Sequence, residues 1–318
     1  MNKKTTLWLI LATVLTVVGG ILFTGVMTTQ KWDFTKLSTV QDETNHHTLE
    51  TEIKNISIVS ETADILLIPA EKASVECVEE PHMKHTVTLK DGTLTIQIED
   101  TRKWYEHIGI HFGFPKITVS LPEGSYGTLS VRSATGKVTI PADYRFESID
   151  MHQTTGSITN LASAAKEITL RTTTGSICVE NVTATAMRLS VSTGKINVTN
   201  AVCSEDATVR ATTGDATLTQ FTCRNLTSDG STGDLLLTKV IAKGTITATR
   251  STGKIRFEES DAAEIYAETD TGSVTGTLLS EKIFFAESDT GRVDVPKTVT
   301  GGKCEIHTDT GNIRLQIK

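Results

Sequence analysis

The chain has 318 residues and a formal charge of −7, which is long enough for one large β domain or two ordinary ones. It carries no basic stripe, so nucleic acid is not an expected partner, and its acidic balance gives no reason for strong attraction to anionic lipid. Threonine is abundant and aromatic residues make up only 5%, a composition that suits many short strands with small side chains better than helices around a bulky core.

Taken in chain order, residues 1–30 come first. After Lys3 and Lys4 no charged residue occurs until Lys31, and the run "LWLILATVLTVVGGILFTGVM" (7–27) is apolar throughout. Twenty or so such residues cross a bilayer as a helix. The run is longer than the apolar part of a cleaved signal, lacks a small-residue exit motif, and is not followed by a lipidation cysteine. An uncleaved N-terminal transmembrane anchor is expected. Lys3 and Lys4 favour a cytoplasmic N-terminus and place the rest outside the cytoplasm. Residues 31–47 read as a polar stalk.

Residues 48–128 read as irregular β coils and an N-terminal cap, with strand candidates at 53–59, 64–69, 85–100 and 116–122. Asp91-Gly92 is a hairpin signal between two alternating runs. The stretch "KWYEHIGIHFGF" (103–114) reads as a hairpin tip or a plug for the end of the core, with contact to sugar or protein as its functional alternative. His82, His85, His107 and His111 have loose metal-like spacing but lie in loop or strand, and the expectation is scattered surface histidines rather than a transition-metal site.

Residues 129–318 carry the strongest signal. Thr-Gly recurs ten times, with glycines at Gly136, Gly156, Gly175, Gly194, Gly214, Gly233, Gly253, Gly272, Gly291 and Gly311, always 19 or 20 residues apart. Apolar residues recur at Gly−7, Gly−5, Gly+2 and often Gly+4, with polar residues between them. Each copy therefore reads as strand, corner, strand and polar return. One such unit cannot bury its apolar face, whereas stacked units form continuous apolar ladders. The expected fold is all-β: a single-stranded β-solenoid of about 19–20 residues per coil, rising about 4.8 Å per coil. The glycine answers a corner that needs positive φ or leaves no room for Cβ.

Asp270, Asp289 and Asp309 stand at Gly−2 and create three Asp-Thr-Gly tripeptides, the signature of aspartic proteases. The seven other copies have Ala, Thr or Ser there. The tripeptide is therefore a variant of the structural corner, because a protease needs two such carboxylates facing each other across a cleft. With Glu268, Glu287 and His307 at Gly−4, the three aspartates predict an acidic ladder. A cation such as Ca²⁺ would relieve its repulsion, but a solvated acidic face is the preferred reading, with no cofactor. Cys203 and Cys223 both sit at Gly+9, one coil apart and within disulfide reach. The position takes small residues, so two buried thiols or a bridge both fit. Hydroxyl columns that could order ice are interrupted by charges at Gly+1, and no carboxylate pair suited to sugar cleavage converges.

An N-terminal span, then strands ending in "ITVSLPEGSYGTLSVRSATGKVTI" (117–140), then "TTTGSI", "VSTGKI" and "SDTGRV" units resembles the DUF4097 family. The resemblance covers roughly 48–318. It implies a β-strand-repeat protein of the candidate-adhesin kind, a right-handed coil, and no catalytic residues to carry over.

The expected function is a non-catalytic, membrane-anchored, extracytoplasmic solenoid that binds or senses an envelope component. The alternative is a structural spacer or assembly partner of another membrane protein, with a polysaccharide-active enzyme further behind. The last strand, "NIRLQIK" (312–318), has no visible cap, so a homodimer through the C-terminal coil is expected as one mode of association.

Overall fold

The structure is a computed structural model, and it describes residues 3–33, 42–104, 113 and 115–318. Residues Lys3–Thr29 form helix α1, about 40 Å long at 1.5 Å per residue. Among the described residues it is the one helix long and apolar enough to cross a membrane, with a mean hydropathy of 2.3 over Lys4–Thr29. Its threonines hide their polar atoms: the hydroxyls of Thr13, Thr16, Thr24 and Thr28 donate to carbonyls four residues back, which a helix in hydrocarbon requires.

The remaining chain is a β-solenoid of about ten turns. The seven strands before the first Thr-Gly coil are β1 (Glu43–Thr48), β2 (Asn55–Thr62), β3 (Asp64–Pro69), β4 (Ser74–Glu79), β5 (Met83–Lys90), β6 (Thr93–Asp100) and β7 (Lys116–Leu121). Residues 43–47, assigned to the stalk by sequence, thus belong to β1, which pairs antiparallel with β4. The β5–β6 hairpin forms at Asp91-Gly92, both residues having φ in the left-handed region, as that two-residue turn demands.

The ten Thr-Gly units, numbered coils 1 to 10 in chain order, pair in parallel and in register; Thr135, Thr155, Thr174, Thr193 and Thr213 stack as successive partners. At the corner, a Cβ built on Gly175 or Gly194 would fall well inside van der Waals contact with the carbonyl oxygen of the neighbouring coil's glycine. Steric exclusion and the positive φ of these two residues (142° and 143°) together demand glycine there. The stacked glycine carbonyls are also served from inside. Thr172 donates to the oxygen of Gly156 (3.2 Å), Thr269 to Gly253, Thr308 to Gly272 and Ser288 to Gly311 (2.9 Å each). These residues occupy Gly−3, an inward position, which explains why a hydroxyl recurs where alternation asks for an apolar side chain.

A second corner was not visible in the repeat. Asn181, Asn200, Gln220, Lys239 and Glu259, all at Gly+6, have φ between 50° and 55°. No glycine marks this corner, because Asn and a few longer residues tolerate the left-handed conformation singly. The core lies between the corners and includes the fully buried Tyr144, Phe221 and Phe257.

The C-terminal end departs from chain order. Coil 9 does not stack on coil 8, because coil 10 lies between them. The coil 10 strand Gly302–Thr310 pairs on one side with Ile255–Thr271 of coil 8 and on the other with Lys282–Thr290 of coil 9. Ile313–Ile317 is likewise enclosed, between Val274–Leu278 and Val293–Asp294. The spatial order is 8, 10, 9. The expectation that the last strand is the open edge is therefore corrected: coil 9 ends the rod. Gly301-Gly302 and Lys282 show why the insertion holds. Lys282 lies in register with Gly302, which has no side chain to block it. Its ammonium, buried at 2% exposure, meets the Asp261 carboxylate of coil 8 at 2.7 Å. The ion pair spans the inserted coil.

Candidate functional site

The outward position Gly−4 forms a column along the rod. In spatial order it reads Arg132, His152, Arg171, Ser190, Arg210, Asp229, Thr249, Glu268, His307 and Glu287. One half is basic and the other acidic. The repeat pattern does not reveal this polarity, because the pattern lies in what the copies share and the column's trend lies in how they differ.

In the basic half a cleft of about 530 Å³ is lined by Arg132, His152, Gln153, Arg171 and the hydroxyl residues Thr173 and Ser190. Parallel stacking puts His152 beside Arg132 on one side and Arg171 on the other. Arg132 donates to Asp150 at 2.5 Å, and His152 Nε2 lies 3.2 Å from the other oxygen of that carboxylate. Arg171 is exposed and makes no ion pair among the described residues. Partial burial and the nearby Arg132 guanidinium hold His152 below its ordinary pKa, so imidazole contributes polarity more than charge at neutral pH. A second groove, of about 540 Å³, runs beside Tyr126 and Phe146, whose rings lie 5.9 Å apart.

The acidic half is rearranged by the coil order. His307 stands in register between Glu268 and Glu287, so those two carboxylates are separated by about 9.6 Å, two inter-strand spacings. The middle aspartate of the Gly−2 ladder is Asp309, not Asp289, and it lies 3.0 Å from His307 Nε2. Asp270, Asp289 and Asp309 are all exposed on this outer face. Next to it, Arg250 is buried at 2% exposure. Its guanidinium donates to Ser228 Oγ (3.0 Å) and to the carbonyl of Thr249 (2.7 Å) and packs over Gly230, its register partner. Ser228 and Gly230 are small because an arginine fills the interior there, and burial lowers the Arg250 pKa.

Cys203 and Cys223 are both buried and unbonded to each other. Cys203 Sγ donates to the carbonyl of Thr185 at 3.1 Å, and burial pushes the Cys223 thiol up to about 12. Of the four histidines singled out by spacing, His107 and His111 lie outside the described residues. His85 is not the surface residue expected. It is 5% exposed, its Nδ1 lies 2.7 Å from Glu79 Oε2, and its Nε2 lies 3.1 Å from Ser60 Oγ. The signal that could have found it was Glu79, an acidic residue at an inward position of β4, where Val75 and Cys77 share its face.

The architecture defines a class: a β-solenoid with a short-period corner glycine, a strand-built cap and an N-terminal apolar helix. A model of the Toastrack DUF4097 family matches residues 53–220, more than half of the chain, and the protein belongs to that family. Among curated proteins no sequence matches it. Crystal structures with some likeness include a candidate adhesin from Bacteroides fragilis, 16% identical over 87% of this chain and 97% of that one, at a TM-score of 0.40. Another candidate adhesin, from Parabacteroides distasonis, is 14% identical over 76% and 98%, at 0.44. A candidate lipid-binding protein from the same species is 13% identical over 76% and 98%, at 0.38.

Proposed function

We propose that the chain is a membrane-anchored, extracytoplasmic solenoid that binds an anionic polymer of the cell envelope along its outward face, without catalysis. The observation that carries this reading is the basic cleft, where Arg132, His152 and Arg171 stand on consecutive coils and are flanked by hydroxyls that can bond sugar or phosphate oxygens. Arg171 is uncommitted within the protein, and a rigid parallel ladder holds the groups at a fixed spacing before the ligand arrives, which lowers the ordering cost of binding. Helix α1 supplies the anchor. The acidic half repels the same ligand and gives it a direction along the rod.

The test is retention of the full chain, in detergent micelles, on purified cell wall. Binding should weaken with salt and fall at least tenfold in Arg132→Gln/Arg171→Gln. Replacing Asp270, Asp289 and Asp309 by Asn should not weaken retention, with or without Ca²⁺, and removing their repulsion should raise it slightly. Wall retention that survives the double arginine change would sink the reading.

A second reading, assembly with another chain, has its own support. Around coil 9, Leu279, Ile283, Phe285, Val293 and Val299 are exposed, and among the described residues no strand lies beside the outer edge of Lys282–Thr290. A second copy docking there would make the homodimer run through coil 9. Sedimentation of the wild type against Phe285→Glu separates the two: a dimer that becomes monomeric supports assembly, and a monomer in both removes it.

A further inference from the structure

The described residues bring three metal-ligating atoms within 4.8 Å of one another at one place: Cys77 Sγ, a Glu79 carboxylate oxygen and a His85 ring nitrogen. We propose that this cluster is a zinc site that pins the N-terminal cap.

The donors form a sulfur, nitrogen and oxygen set, which suits Zn²⁺. All three residues are buried, at 0%, 1% and 5% exposure. They come from two cap strands, Cys77 and Glu79 from β4 and His85 from β5. Each is already aimed. Glu79 Oε1 accepts from Asn45 Nδ2 of β1 at 2.8 Å, and Glu79 Oε2 accepts from the His85 backbone N–H at 2.7 Å. His85 Nε2 faces Ser60 Oγ of β2. Such outer partners orient the ligands of protein metal sites and fix the tautomer of a ligating histidine. The Cys77 thiol is the odd member. It makes no hydrogen bond among the described residues and sits at an inward position of β4 between Val75 and Glu79.

The charge balance fits. One thiolate and one carboxylate offset Zn²⁺, and imidazole adds nothing. On binding, the Cys77 proton leaves to solvent. Nδ1 takes the metal, any proton it held leaves to solvent or passes to Nε2, and the bound imidazole donates from Nε2–H to Ser60 Oγ. Metal–ligand distances of about 2.0–2.3 Å require the Nδ1–Oε2 approach to widen by about half an ångström. Three protein ligands leave a fourth position for water, on the side of the half-buried Asn45.

The test uses the full chain in micelles, stripped with a chelator and titrated with Zn²⁺ against a chromogenic competitor, and separately with Co²⁺. One equivalent should bind, and the cobalt form should show a thiolate-to-metal charge-transfer band and intense tetrahedral d–d absorption. Cys77→Ser should abolish that band and weaken Zn²⁺ at least a hundredfold; His85→Gln should weaken it similarly, and Ser60→Ala about tenfold. Thermal unfolding of the metal-free variants checks that they fold. If Cys77→Ser does not fold, Ser60→Ala and the wild-type cobalt spectrum decide. No stoichiometric binding, a cobalt spectrum without thiolate character, or a band that survives Cys77→Ser overturns the proposal.

Discussion

The two ends of the rod solve the same problem differently. At both, chain order and spatial order part company. At the N-terminal end the chain lays down β2 and β3 first, then places β6 and β7 outside them before returning to start coil 1 against β2 and β3. At the C-terminal end it lays down coil 9 outermost and then returns inside it with coil 10. The outcomes differ. The N-terminal cap adds the antiparallel strands β1, β4 and β5 and buries a polar network, so its core is covered. Coil 9 has no such cover: Phe284, Ala286 and Val295 are only partly buried, and Val293 is exposed. A solenoid end therefore needs antiparallel strands or a partner to be sealed; returning the chain inside the last coil secures that coil but leaves its face open.

The largest effect that would break this contrast lies mid-rod. Gly194→Ala puts a methyl onto a backbone carbonyl at a positive φ, and should cost about 4 kcal/mol or more. Ala63 occupies the equivalent corner between β2 and β3, where its carbonyl faces Gly136 and its methyl is buried at 2% exposure. Ala63→Gly loses one buried methyl and adds backbone freedom to the unfolded chain, and should cost only about 1–2 kcal/mol. Urea unfolding of both variants checks the pair; equal costs would mean the corner is not sterically closed.

Next come the core aromatics. Phe257→Ala, in the closed interior, should lose about 3–5 kcal/mol. Phe284→Ala, under the open face, should lose less than half of that. Similar losses would show that coil 9 is covered in solution, which would point to a partner.

Lys282→Met removes one member of the ion pair that spans coil 10. Leaving Asp261 without its cation should cost about 2–4 kcal/mol, expressed locally as faster amide exchange over 279–300 with coils 1 to 6 unaffected. Adding Asp261→Leu should restore most of the protection. Uniform loss of protection along the rod would mean that the ends are not independent units.

The smallest effect is a pH dependence. The folded pKa of His152 is depressed from its ordinary 6.5, so the unfolded chain binds its proton first as pH falls. Stability should therefore decline as pH drops below about 6.5 and level off below the folded pKa. The side chain is substantially exposed, so the decline is shallow. His152→Gln should flatten it in thermal scans between pH 7 and 5, a range above that in which a depressed carboxylate such as Asp215 titrates; an unchanged slope would remove His152 as the cause.

How much of this was legible in the sequence follows from the range of each interaction. The corner glycines, the alternation and the hairpin at Asp91-Gly92 are local, and local periodicity reveals them. The Gly+6 corner is equally local but is built from Asn, Gln, Lys and Glu, which carry no shared letter. The basic half of the Gly−4 column is written in the sequence as Arg132, Arg171 and Arg210, yet His152 between two of them gains its meaning only from the register.

The sequence by itself determined the solenoid, its period, its corner chemistry and the apolar helix, because each repeat states the same short-range pattern ten times. Only the tertiary structure decided which coil lies next to which at the ends, and which buried polar groups meet. The physical reason is the repeat itself. Any Thr-Gly coil presents the same edge to any other, so pairing alone does not choose between the orders 8, 9, 10 and 8, 10, 9. That choice falls to single features such as Gly302 and the Lys282–Asp261 pair, and the meeting of Cys77, Glu79 and His85 falls to a cap that obeys no repeat.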